Sequence, residues 1–250
     1  MELNRKSYQG VWNIVRFNWP FYVVAGIVIL LVIGIAGYFS GLIFYFLLAA
    51  ALAALGGMLV SLVVSHYIYD RSSLYDFGWL DGLDFQKAGS ALTVNAGFDE
   101  TTEILQHKFP FLRFAMADFY DPRLHTEPSI ERARKIYPPK PEVLKVYTSD
   151  LPYGDQQFDI IFVLLSAHEI RNPKERILFF LELKRVLREG GKIIVMEHLR
   201  DLPNFLAYTI GFFHFHSHAA WIKCFELAEL KLEREEKQTV FISLFILTKK

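Results

Sequence analysis

The chain has 250 residues, 27 acidic and 27 basic side chains, and a single cysteine, Cys224. Because the charge is balanced and no basic stripe is visible, nucleic acid is not an expected partner. One cysteine excludes an intrachain disulfide and a multi-cysteine zinc site, and its simplest role is that of a small buried apolar residue.

The N-terminal part contains a long segment without formal charge. Between Arg16 and Asp70 there are 53 residues with no Asp, Glu, Lys or Arg. Two apolar stretches, residues 20–38 and 42–64, would span roughly 29 and 35 Å as helices, enough to cross a hydrocarbon core about 30 Å thick. The first is too long for the apolar part of a signal peptide. We therefore predict a two-helix transmembrane hairpin at residues 20–66, with a buried hairpin of a soluble oligomer as the alternative.

The charges flanking this hairpin predict its orientation. Arg5, Lys6 and Arg16 precede the first stretch, and the connecting loop is uncharged. By the positive-inside tendency, segment 1–19 is cytoplasmic, and two spans return the rest of the chain to the same side. Residues 67–89 are predicted to be a juxtamembrane connector, whose tyrosines and tryptophan suit a membrane interface or a lipid-facing lid.

Residues 90–250 are predicted to form a separate α/β domain. Short apolar runs alternate with amphipathic helices, which favours a mostly parallel sheet covered by helices. Strands are predicted at 91–95, 111–117, 143–148, 158–165 and 192–197, with helices at 101–107, 130–136 and 173–189. A long helical region follows at 203–229, and segments 230–237 and 240–248 are predicted to be an antiparallel pair at the sheet edge.

A geometric rule selects the residues that can form a site in such a sheet. Ligands bind beyond the carboxyl ends of parallel strands, close to the point where the strand order reverses. The residues at those ends are Asn95 to Phe98, Asp118, Ser149, Asp150, Ser166 to Glu169, Glu197 and His198.

Two stretches resemble a known family. Residues 149–161 (SDLPYGDQQFDII) and 183–192 (LKRVLREGGK) are similar to segments that lead into strands four and five of the class I S-adenosylmethionine-dependent methyltransferases, particularly the branch acting on quinones, sterols and small metabolites. The resemblance covers roughly residues 74–250. It implies a Rossmann-like sheet with a terminal antiparallel strand, S-adenosylmethionine as cofactor, and methyl transfer as the activity.

The resemblance also implies a cofactor site. Gly97 would lie in the glycine-rich turn after the first strand, and Asp118 would accept hydrogen bonds from the ribose hydroxyls. Segment 149–151 would contact adenine, and Ser166 and His168 would lie near the methionine moiety. The cofactor-binding candidates are Asn95, Gly97, Phe98, Asp118, Ser149, Asp150, Leu151 and Ser166.

The glycine-rich turn departs from the family pattern. Where relatives have an acidic residue and three glycines, this chain has Thr93, Asn95, Gly97 and Asp99. Asp99 and the following Glu100 have two open roles, contact with the cofactor's ammonium group or capping of the next helix. The loss of glycines leaves a non-catalytic membrane scaffold or sensor as the alternative function. A nucleotide-dependent dehydrogenase is a weaker third interpretation.

Histidines are the candidate bases. A hydroxyl nucleophile benefits from a general base, and we place His198 first and His168 second. His214 and His218 would share one face of a helix, a spacing that permits metal binding. With no nearby carboxylate or cysteine they make a poor site, so no metal is expected. Together with His216, they are instead assigned to a base or polar lining of an aromatic-rich pocket, or to ordinary, partly buried histidines.

These observations predict a membrane-anchored methyltransferase that acts on an apolar or lipid-like small molecule by in-line transfer, with the lipid bilayer as its partner. The sequence does not indicate an oligomeric state.

Overall fold

The structure is a computed structural model, and it describes residues 5–83, 85 and 88–250. The chain begins with three helices, α1 (Gln9–Phe17), α2 (Trp19–Ala36) and α3 (Leu42–His66). In the described part, α2 and the helix beginning at Leu42 are long and apolar enough to cross a membrane, and only 6% of each apolar window is buried. A core helix of a soluble protein would be mostly buried. The helices thus form where the sequence predicts them, whereas membrane insertion and sidedness stay predictions.

Helix α1 is an amphipathic element that the sequence analysis did not identify. Its inner face buries Gly10, Asn13 and Phe17, while Trp12 on the other face is 59% exposed. A Cβ atom at Gly10 would lie 2.3 Å from the Cβ of Tyr69, so only glycine permits this approach to the chain beyond α3.

The described residues of the C-terminal part form a seven-stranded sheet in the order β3-β2-β1-β4-β5-β7-β6. The strands are β1 (Ser90–Asn95), β2 (Arg113–Asp118), β3 (Leu144–Lys145), β4 (Phe158–Leu164), β5 (Leu187–His198), β6 (Leu230–Thr239) and β7 (Ile242–Lys249). Strands β1 to β5 run parallel, and β7 lies antiparallel between β5 and β6. This confirms the predicted fold class, a Rossmann-like α/β sheet with a closing antiparallel pair.

Strand β3 is much shorter than predicted. Only Leu144 and Lys145 pair with β2, whereas the apolar pattern predicted residues 143–148. Pro138, Pro139 and Pro141 precede it and cannot donate ladder hydrogen bonds. After it, a turn in which the amide of Asp150 donates to the carbonyl of Tyr147 ends the extended chain.

The remaining helices are α4 (Thr102–Lys108), α5 (Pro128–Ile136), α6 (Pro173–Val186), α7 (Leu202–Tyr208) and α8 (His218–Leu227). The prediction of one helical region at 203–229 is wrong. Helix α7 ends at Tyr208, because the next residue, Thr209, has a φ of +48°. A 3₁₀ turn, Thr209–His214, follows, and the amide of Arg200 then pairs with the carbonyl of His216 at 2.8 Å. Ser217 caps α8. His214 and His218 therefore lie on different elements and do not share a helix face.

Apolar side chains fill both faces of the sheet. Alternation along β4 sends Ile161 and Val163 towards α6 and α8, and Ile160, Phe162 and Leu164 towards the opposite face. That opposite face is covered by Leu74, Phe77 and Leu80 of the connector. The described part of segment 67–89 therefore contributes to the domain core. The strand order reverses between β1 and β4, and their carboxyl ends mark the position for a ligand.

Candidate active site

A cavity of about 210 Å³ lies at the carboxyl ends of β1 and β4. The sheet contributes Asn95 and Phe98 after β1, Leu164 and Leu165 at the end of β4, and His198 at the end of β5. The opposite wall comes from outside the sheet and consists of Gly10, Asn13, Ile14, Phe17, Asn18, Tyr69 and Tyr75. The cavity is thus enclosed between the sheet edge and the segments that flank the α2–α3 hairpin.

The structure brings together six of the ten predicted site residues. Asn95, Phe98, His168 and His198 line this cavity of about 210 Å³, the large cavity of the two at the sheet edge. Gly97 and Asp118 line an adjoining cavity of about 80 Å³, which shares Asn95 and Phe98 with the first.

The other four candidates lie away from both cavities. Ser149 and Asp150 are exposed. Leu151 packs in the core, and the buried Ser166 hydroxyl donates to the carbonyl of Val94 at 3.0 Å. The turn after β3 therefore presents no side chain from 149–151 to either cavity.

The turn after β1 forms a cradle for a ligand at Gly97. The Asn95 carboxamide oxygen accepts the amide of Gly97 at 3.1 Å, and the φ of Gly97 is +92°, which favours glycine. A Cβ atom there would lie 2.9 Å from the Arg134 side chain. Arg134 comes from α5 and forms an ion pair with Asp118. Its guanidinium group therefore lies over the cradle.

The chemistry of this cradle fits the ribose end of S-adenosylmethionine. Asp118 is buried, and one carboxylate oxygen accepts the amide of Tyr120 at 2.9 Å. The other oxygen faces Arg134, where a ribose hydroxyl would donate a hydrogen bond. A ribose bound at Asp118 would require the Arg134 side chain to leave that carboxylate, a movement that a long flexible side chain permits.

Asp99 and Glu100 have structural partners. Asp99 accepts the amides of Thr101 and Thr102 at 2.8 and 3.0 Å, so it caps α4. Glu100 accepts hydrogen bonds from Gln9, Asn13 and Tyr75, and it forms an ion pair with Arg5 at 3.2 Å. Glu100 therefore fastens α1 to the sheet edge.

His198 is a buried neutral histidine. The Asn204 amide nitrogen donates to Asp201 and to the carbonyl of Phe241, which leaves its oxygen to accept from His198 Nδ1 at 3.0 Å. Nε2 of His198 therefore accepts the Tyr69 hydroxyl, 2.8 Å away. Burial lowers the pKa of His198 to about 3. Tyr69, a residue that no sequence motif identified, lines the cavity together with His198.

His168 is held in the opposite protonation state. Its Nδ1 lies 2.6 Å from the buried Glu197 carboxylate, and its Nε2 lies 3.3 Å from Glu169. Burial opposes the charged form, but these two carboxylates outweigh it and raise the pKa of His168 to about 10. In this state His168 carries a proton at neutral pH, so it acts as a hydrogen-bond donor.

The other histidines of the predicted cluster separate. His214 lies beside Glu169, with 3.2 Å between its Nε2 and the carboxylate. His216 lies against Arg176, whose guanidinium is 2.9 Å from its Nε2. His218 is exposed and pairs with Glu235. Sequence reasoning missed the contact between Glu169 and His214 because it placed His214 on a long helix. Glu169 itself was visible as one of the residues after β4.

Comparisons with known proteins agree with this fold. Residues 101–195 match the family described as methyltransferase domain. A search of curated protein sequences found no match.

Two solved structures illustrate the likeness. The PH0226 protein from Pyrococcus horikoshii OT3 has a TM-score of 0.50 and 18% identity, covering 70% of this chain and 87% of that one. Human N-acetylserotonin methyltransferase in complex with SAM has a TM-score of 0.52 and 10% identity, covering 77% of this chain. This chain spans 55% of the human protein. At these identities the likeness concerns the fold.

The family match lies on α4 to β5, which contribute part of the lining of both cavities, including Asp118 and His168. The sheet around them has the topology that the resemblance implied, and the cradle at Gly97 and Asp118 suits the family's cofactor. The chain therefore has the fold of the class I S-adenosylmethionine-dependent methyltransferases, and its residues 101–195 match a methyltransferase domain.

Proposed function

We propose that this protein transfers a methyl group from S-adenosylmethionine to an apolar small molecule that reaches the site from a membrane. One observation carries the proposal, namely that both ends of the apolar hairpin form the cavity wall. Phe17 and Asn18 directly precede α2, and Tyr69 follows α3. A hairpin inserted in a bilayer would hold this wall at the lipid surface.

The composition of the wall supports an apolar acceptor. Side chains of Ile14, Phe17, Phe98, Phe162 and Phe215 contribute to the cavity. Pockets with mainly apolar walls and a few polar groups typically bind small apolar molecules in a fixed orientation.

The chain's own residues supply binding and alignment. Gly97 and Asp118 would hold the ribose end of the cofactor, with Asn95 and Phe98 beside it. When bound, S-adenosylmethionine supplies a methyl group activated by a positively charged sulfur. Since the leaving group is neutral, alignment of the acceptor with that methyl contributes most of the acceleration.

Tyr69 is suited to orienting an acceptor hydroxyl. Its proton is donated to His198 Nε2, so its oxygen retains lone pairs that accept a hydrogen bond. The roles of His198 and His168 as bases stay predictions. With a pKa of about 3, His198 supports a positioning role through Tyr69 more than direct proton transfer.

The test is methyl transfer by the full-length protein in lipid nanodiscs. We expect label from methyl-tritiated S-adenosylmethionine to enter a product that partitions into organic solvent when lipid extract is supplied. Asp118→Asn should lower that incorporation, whereas Asp150→Asn, at an exposed position, should not. Transfer only to water-soluble acceptors would contradict the proposal.

A non-catalytic scaffold is the second candidate, and the Arg134–Asp118 ion pair is the observation that favours it. A scaffold would keep this pair closed. If S-adenosylhomocysteine binds neither the folded wild-type protein nor the Arg134→Ala variant, the scaffold is the better explanation.

A further inference from the structure

Three side chains meet at one edge of the large cavity. His168 and Glu169 lie on the 3₁₀ turn after β4, and His214 ends the 3₁₀ turn after α7. One ligand atom from each lies within 4.8 Å of the others. Glu169 Oε1 is 3.3 Å from His168 Nε2 and 3.2 Å from His214 Nε2.

These spacings match those of metal ligands. Bonds of about 2.0–2.2 Å from nitrogen or carboxylate oxygen to zinc place neighbouring ligand atoms of a tetrahedral site roughly 3.3 Å apart. Two imidazoles and one carboxylate form a recurrent set in zinc sites that keep a further position open.

An outer carboxylate orients the His168 imidazole. Glu197 Oε2 lies 2.6 Å from His168 Nδ1, which directs Nε2 of that ring towards Glu169. Histidine ligands of metals commonly use their second nitrogen in this way, which fixes the ring and its tautomer. Glu127 Oε2 lies 3.6 Å from His214 Nδ1, an ionic contact beyond hydrogen-bond distance.

The balance of charge favours a cation at this point. The side chains of Glu197 and Glu169 are 0% and 4% exposed. Buried carboxylates need a cationic partner because desolvation of an unpaired charge is costly. Without a metal, the protonated His168 supplies that charge. A divalent ion bound by His168, Glu169 and His214 would take the place of the proton on His168 Nε2, which is released, and would supply the charge instead.

We propose that His168, Glu169 and His214 bind a zinc ion whose open position faces the cavity. All three residues line that cavity. Zinc binding itself does not depend on methyl transfer. The role of the bound zinc rests on the proposed function, because an oxygen of the acceptor would occupy the open position and be polarised there.

Zinc binding is tested on the untagged, full-length protein in detergent. After treatment with a chelator, titration calorimetry with zinc chloride should show one site per chain. His214→Asn and Glu169→Gln should weaken binding by at least about a hundredfold, since loss of an outer partner alone costs 10–100-fold. His218→Asn is the matched control, because His218 is 52% exposed and pairs with Glu235.

Cobalt substitution provides a measurement that needs no variant. Cobalt-loaded wild-type protein should show the intense visible absorption of a tetrahedral nitrogen and oxygen site. Absence of zinc binding, or equal weakening by His218→Asn, would overturn the proposal. Because neither cofactor nor acceptor is present in these measurements, failure of the metal site leaves the methyl-transfer assay unaffected.

Discussion

At the scale of single residues, the state of the cofactor cradle depends on two side chains of opposite charge. Asp118 ends β2 and is buried, while Arg134 reaches it from α5. The guanidinium of Arg134 also lies 4.9 Å from the centre of the Tyr120 ring. The pair occupies the position in which the resemblance places the cofactor's ribose, so the two residues have opposite expected effects on cofactor binding.

Asp118→Asn should weaken binding of S-adenosylhomocysteine by about 10–100-fold. A hydrogen bond to a charged group contributes about 1.5–3 kcal/mol, and the amide presents less negative charge to the ribose. Titration calorimetry on the detergent-solubilised protein measures the affinity, with Asp150→Asn as the unaffected control. Equal affinities for wild-type protein and Asp118→Asn would remove Asp118 from the cofactor site.

Arg134→Ala should strengthen the same binding by several-fold, because the variant need not break an ion pair before the ribose enters. Lys135→Ala is a suitable control, since Lys135 is exposed on the same helix and pairs with Glu131. If Arg134→Ala weakens binding instead, Arg134 contacts the bound cofactor and is a binding residue.

At the scale of elements, α1 closes the large cavity through polar contacts. Its N-terminal amides at Gly10 and Val11 donate to Asp70, at 2.6 and 3.0 Å. Glu100, at the sheet edge, accepts hydrogen bonds from the α1 side chains Gln9 and Asn13. These contacts join α1 to the segment after α3 and to the turn after β1. Loss of one contact point should therefore loosen the whole helix.

Glu100→Ala should increase amide hydrogen exchange across Gln9–Phe17 by about tenfold or more, since about 1.4 kcal/mol corresponds to a factor of ten. Hydrogen exchange followed by mass spectrometry on the full-length protein measures this. Glu103→Ala is the matched control, because Glu103 lies on α4 and pairs with Lys140. Unchanged protection of α1 in Glu100→Ala would show that Asp70 and apolar packing hold the helix.

At the scale of the whole molecule, two exposed apolar helices are joined to a charged α/β domain. Large apolar side chains such as Leu30, Leu31 and Phe46 are 59–70% exposed on α2 and α3. Contiguous apolar surface of this kind marks a membrane or protein contact. The basic residues before the hairpin and its uncharged connecting loop favour an orientation in which both chain ends lie on the same side of a bilayer.

Cysteine labelling in sealed vesicles should place Ser40→Cys and Lys231→Cys on opposite faces. Ser40 lies between α2 and α3, and Lys231 is exposed on β6. The native Cys224 is buried and serves as the unreactive reference. Labelling of both introduced cysteines from the same side by a membrane-impermeant maleimide would contradict the two-span topology.

The sequence by itself determined the elements whose causes are local. Apolar runs specify β4 and the two long helices, and Asn172 followed by Pro173 specifies the start of α6, where the Asn172 side chain accepts the amide of Lys174 at 2.9 Å. The motifs flanking β4 and β5 are specific enough to indicate the family that the chain resembles. These features depend on residues that are close in the sequence, so they can be predicted from the sequence alone.

Tertiary structure alone decided which further residues join those predicted from the sequence at the candidate site. Arg134, Tyr69 and Glu100 belong to no motif, and each acquires its role from a partner 16 or more positions away. His214 meets Glu169 only because the chain breaks its helix at Thr209. Contacts between distant segments depend on how several elements pack at once, and side-chain spacing along the chain does not encode that packing.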